Sequence, residues 1–126
     1  MIRIPVSHGE LFDKITILRI KQAKFGFGPK RDAVERELAE LEICAREVPD
    51  HPDVPALVEE LQAINSELWD IEEGKRDCEA RQDFGAEFIR LARAVYRKND
   101  RRAWLKRRLN EVTGSEIVEV KSHRDA

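Results

Sequence analysis

The sequence predicts an all-α fold: an antiparallel, coiled-coil-like helical hairpin with N- and C-terminal helices packed at its open end. Three observations predict it. Apolar residues recur at 4-3 spacing over 34–48 and again over 57–71. Ser7 and Glu10 stand three apart before an apolar run, the form of a helix-capping box. Gly and Pro gather between these runs, at 26–29 and 49–55, where helices stop and restart.

Residues 2–6 alternate apolar and other residues, which suits a short edge strand limited by Pro5. The first helix is predicted over 8–24. Its apolar residues Leu11, Phe12, Ile15, Ile17, Leu18 and Ile20 spread over more than one face, so it is expected to be heavily buried. Gly26, Gly28 and Pro29 end it. The second helix, 31–48, carries the seam Val34, Leu38, Leu41, Ala45 and Val48. Asp53 is a candidate N-cap and Pro55 a first-turn proline for the third helix, whose seam is Leu57, Leu61, Ile64, Leu68 and Ile71. The two seams mirror each other about position 51, pairing Ala45 with Leu57, Leu41 with Leu61 and Leu38 with Ile64, as an antiparallel hairpin requires. The third helix either continues to about 98 or breaks near Asp83. Phe84, Phe88, Leu91 and Val95 give a further apolar face, and Asn99-Asp100 caps a final helix over 100–113 that ends at Gly114. Residues 116–120 suit a short strand, whose partner would be 2–6, giving a minor two-stranded pairing of the termini.

At 126 residues and 14.6 kDa the chain is one domain, 1–126, with a hairpin arm at about 31–82 and a terminal-motif region of 1–30 plus 83–126. No apolar run reaches the ~18–20 residues of a membrane span. The first residues lead into polar ones rather than a signal-peptide core, so the expected location is the cytoplasm. Cys44 and Cys78 are too few for a disulfide scaffold or a four-ligand zinc site, and His8, His51 and His123 lack metal-ligand spacing. No cofactor or metal is expected, and the tripeptide Asp83-Phe84-Gly85 has none of the other motifs of a kinase around it.

The net charge of −2 hides a pattern. Residues 1–31 carry +5, residues 32–83 carry −12 and residues 84–126 carry +5. Such asymmetry bears on partners or on self-docking rather than on fold. Two polar groups lie in the basic ends. In 90–108 the row Arg90, Arg93, Arg97 and Arg101 shares one helix face, with Asn99, Asp100 and Arg102 beside it. Guanidinium forks suit phosphate or carboxylate. The competing explanation is that this face docks on the acidic hairpin or simply faces water. The second group is Ser7, Glu10, Asp13 and Lys14 with His8. Two carboxylates beside a His could serve acid–base work or hold a metal, or the group could form only a cap and a surface ion pair. If the termini pack together, Glu10 and Asp13 should lie beside Arg97, Asn99, Asp100 and Arg101 in one polar pocket.

The opening Ile4-Pro5-Val6-Ser7-His8-Gly9-Glu10-Leu11-Phe12-Asp13-Lys14-Ile15-Thr16-Ile17-Leu18 and the stretch Ala94-Val95-Tyr96-Arg97-Lys98-Asn99-Asp100-Arg101-Arg102-Ala103 resemble a bacterial family of short helical proteins of unknown function. The resemblance implies a compact bacterial domain and carries no activity with it.

Three functions follow as expectations. The first is a non-enzymatic interaction or scaffold protein of the bacterial cytoplasm. The second is a binding protein or small enzyme for an anionic ligand, phosphorylated or a sugar nucleotide, held by Arg93, Arg97 and Arg101 with the 7–14 segment. Nucleic-acid binding through 90–108 is the weakest of the three, because only Tyr96 and Trp104 could stack bases. Ile43, Val58 and Trp69 lie off the seams and predict a homodimer.

Overall fold

The computed structural model describes residues 1–118. It is all-helical over that range. The helices are α1 (His8–Lys24), α2 (Pro29–Ala45), α3 (Val54–Ala80) and α4 (Ala86–Thr113). Residues 2–6 form no strand. The other half of the expected pairing, 116–120, runs into 119–126, outside the described residues.

Antiparallel hairpins organise the chain, but α2 and α3 are not each other's partners. Instead α1 pairs with α2, α3 pairs with α4, and α1 also lies against α3 and α4. The α2 seam, Val34 and Leu38 with Leu41, Ala45 and Val48, packs on Leu11, Ile15 and Leu18 of α1. The α3 seam, Leu61 and Ile64 with Leu57 and Leu68, packs on Leu105 and Leu109 of α4 and on Phe12. The physical reason lies in α1. Its own Leu11-Ile15-Leu18 spacing is a third seam, and it competes for α2 across a four-residue turn. The segment from α2 to α3 is eight residues long and contains Pro49 and Pro52. Such a connection leaves the two helices free to dock elsewhere.

The apolar breadth of α1 now has its explanation: it is the central helix and touches each of the other three. Leu61, Leu105 and Leu109, all fully buried, form the centre of the core beneath it. The α3/α4 hairpin is longer. At 1.5 Å per residue its helices run about 40 Å, against about 25 Å for α1 and α2. Its far end is held by Ile71, Cys78 and Leu91 with Phe88, Ala94 and Val95, residues of α3 and α4 alone. The projecting arm is therefore the α3–α4 tip rather than 31–82. A Cβ on Gly74 would sit 3.0 Å from a Leu91 methyl, so an alanine there fits only if that side chain shifts by a few tenths of an ångström.

The break near Asp83 is present. Gln82 takes a left-handed φ of 53°, and the Asp83 carboxylate accepts from the Gly85 amide at 3.1 Å. No second break follows, so Asn99 and Asp100 lie inside α4 rather than capping a new helix. Gly114, at φ 68°, ends α4 as expected.

Part of the charge segmentation is self-docking. Arg101 of α4 pairs with Glu60 of α3, Lys98 with Glu67 at 2.7 Å, and Arg108 approaches Asp53 at 3.9 Å. Two of the three residues expected at a dimer interface are partly covered within the chain. Trp69 meets Phe25 edge-on, with ring centres 6.4 Å apart, and Val58 packs on the Leu61 cluster. Ile43 stays exposed.

Candidate functional site

The two basic ends do meet. Antiparallel packing of α1 on α4 brings Ser7–Lys14 against 102–115. The register differs from the expected pocket by roughly a helical turn. Asp13 faces Arg102, and Glu10 faces Lys106. Arg97 lies exposed over the Tyr96 ring at 5.8 Å, and Arg101 turns to Glu60 and covers Trp104 at 4.3 Å. Arg93 is exposed on the outer face, and Asn99 reaches the site only through a 3.5 Å contact with Arg102.

Asp13 is the centre. It is 1% exposed, on a helix whose neighbouring positions Leu11 and Ile15 are core. Arg102 grips it with both prongs, Nε to Oδ1 at 2.8 Å and Nη2 to Oδ2 at 2.5 Å. Asn65 of α3 donates to Oδ1 at 2.9 Å and, from the same amide nitrogen, to the Thr16 hydroxyl at 2.9 Å. Thr16 in turn donates to the Asp13 carbonyl at 2.8 Å. Burial by itself would push the Asp13 carboxyl up. The hydrogen bonds from Arg102 and Asn65 and the positive charges of Arg102 and Lys106 more than reverse this, and hold it below the ordinary carboxylate range. One cluster thus ties three helices together.

A second cluster caps α1. A helix leaves its first backbone N–H groups without intrahelical acceptors. Here the His8 amide donates to the Ser115 hydroxyl at 3.1 Å, Gly9 to the Asn110 side-chain oxygen at 2.6 Å, and Glu10 to the Ser7 hydroxyl at 3.1 Å. The next amide, Leu11, donates to the Ser7 carbonyl at 3.1 Å. The Ser7 half of the capping box forms as the sequence predicts. The Glu10 carboxylate instead meets Lys106 at 2.7 Å, with Lys14 further off at 3.8 Å. His8 Nδ1 lies 2.8 Å from the Thr113 hydroxyl. Ser7→Ala should cost about 1 kcal/mol, the usual value of a lost N-cap. A modest fall in the urea midpoint at unchanged slope is the expected reading, and no fall would mean that water replaces the hydroxyl.

Sequence reasoning missed Asn65, Asn110, Thr113 and Ser115 as members of these clusters, and took Lys106 only as one of the basic residues of 90–108. Asn65 stands next to Ile64 of the seam, and that adjacency was its one available signal. Among the described residues no group of three or more His, Cys, Asp or Glu side chains is placed to hold a metal ion. No helix among them is long and apolar enough to cross a membrane. Comparison with known proteins finds no matching family model, no similar curated protein and no similar solved structure.

Proposed function

We propose that this chain is a non-enzymatic helical interaction or scaffold protein of the bacterial cytoplasm. The observation that carries this reading is the internal pairing of the polar groups where the termini meet. Arg102 is matched by Asp13, Lys106 by Glu10 and Arg101 by Glu60. The four leading amides of α1, the other feature able to receive an anion, already donate within the chain. An anionic ligand would have to break these contacts before making its own, and each broken contact subtracts from its affinity.

The test is a thermal-shift series with inorganic phosphate, a hexose phosphate and a sugar nucleotide, each at 1 mM. The interaction reading expects shifts below about 2 °C, the size that millimolar binding would give a domain of this length. A larger shift would overturn it in favour of an anion-binding protein or small enzyme.

A further inference from the structure

The outer side of α4 is built differently from the rest of the surface. Ile89, Tyr96 and Trp104 are 54%, 51% and 42% exposed, and they lie within about 90° of one another around the helix. They span roughly 22 Å along it. Arg93 and Arg97 stand between them, and neither has an ion-pair partner among the described residues. The opposite side of α4 is the one that packs on α3 and α1, through Leu91, Leu105 and Leu109. Single exposed apolar residues are ordinary on protein surfaces. A row of large apolar and aromatic side chains flanked by arginines is not, and it has the composition that dominates binding energy at protein interfaces.

We infer that this face docks an acidic amphipathic helix of a partner protein. The inference rests on the interaction-protein reading and names its surface and partner chemistry. Charge complementarity selects the partner: the face offers Arg93 and Arg97 in surplus, and α4 has already drawn the acidic side chains of α3 to its flank. Helix chemistry selects its form. A 4-3 apolar stripe fits Ile89, Tyr96 and Trp104, while acidic residues on either side meet the guanidinium groups. A polynucleotide fits less well. Ile89 gives nothing to a phosphate backbone, and one face of each aromatic ring is already covered by a guanidinium, Arg97 over Tyr96 and Arg101 over Trp104.

The test uses three dye-labelled probes with the intact protein: a 20-residue helical peptide of Leu at 4-3 spacing with Glu elsewhere, the same peptide with Lys for Glu, and a 20-nucleotide single-stranded DNA. Fluorescence anisotropy is expected to show saturable binding of the Glu peptide alone. That binding should weaken at least tenfold in Tyr96→Ala and in Arg97→Glu, while both variants keep the parent melting temperature. Absence of saturation, equal binding by Tyr96→Ala, or equal binding of the Lys peptide overturns the inference. So does tighter binding of the DNA, which would make the face a nucleic-acid surface. A dimer by light scattering that Tyr96→Ala dissociates would assign the face to a second copy of the chain and overturn it as well. Failure here leaves the metabolite series unmoved, whereas a metabolite hit overturns the interaction reading and this inference with it.

Discussion

Asp13→Asn is expected to lower the stability of the fold by about 3 kcal/mol, a large part of the 5–15 kcal/mol typical of a domain. The substitution keeps size and shape but removes the charge that Arg102 grips with two hydrogen bonds. It also sets an amide N–H against the guanidinium, donor against donor. Arg102 is 30% exposed, so water partly rehydrates it, and the loss falls at the lower end of what breaking a buried pair costs. Arg102→Lys should lose less, since the charge survives and the planar fork does not. Glu60→Gln is the surface control. It breaks the Arg101–Glu60 pair between half-exposed side chains, and it should cost under about 1 kcal/mol. Urea unfolding of the four proteins at pH 7 checks the order. Equal losses for Asp13→Asn and Glu60→Gln would show that the buried cluster is no more than a surface pair.

The same carboxylate sets a pH signature. Its folded pKa lies below the unfolded value of about 3.9, so its contribution is present above pH 3.9 and is lost as pH falls through the folded value. The stability gap between the parent and Asp13→Asn should therefore be constant from pH 7 to about 5 and narrow below pH 4. A gap that persists unchanged at pH 2 would mean that the charge of Asp13 is not what separates the two proteins.

What the sequence made legible was periodicity. Each 4-3 seam marks the buried side of a real helix, and the broad apolar pattern of α1 correctly marks the helix with the most neighbours. Seam spacing says which face is buried, not what covers it. Any two heptad runs on either side of a short link mirror each other, so the symmetry about position 51 carried no information about whether α2 meets α3 or α1. The site was legible in part for a related reason. Asp13, between Leu11 and Ile15, is a charge on a buried helix, and such a charge demands a cation; the basic run 90–108 supplies many candidates. Choosing Arg102 and Lys106 over Arg97 and Arg101 depends on the register of α1 against α4. That register is set by the close approach at Gly9 and the Asn110 contact, two polar or small residues with no periodic signature.

Gly9→Ala tests that register directly and should cost about 3 kcal/mol, the upper range for overpacking. Inside a helix, Ala is ordinarily the better residue by about 1 kcal/mol. Here the gain is outweighed. A Cβ at position 9 would stand 2.3 Å from the Lys106 carbonyl oxygen, 2.9 Å from its carbon and 3.0 Å from the Asn110 side-chain oxygen. The first two atoms are α4 backbone, which cannot rotate aside as a side chain would. The strain is relieved only by moving the start of α1 away from α4. That movement stretches the 2.6 Å bond from the Gly9 amide to Asn110 and the 3.1 Å bond from the His8 amide to Ser115, and it pulls Glu10 from Lys106. Hydrogen exchange should then report faster exchange at His8 and Gly9 with the α3–α4 tip unchanged, because Ile71, Cys78 and Leu91 pack without α1. An alanine variant as stable as the parent would show that α1 and α4 do not approach this closely, and the placement of Asp13 against Arg102 would fall with it.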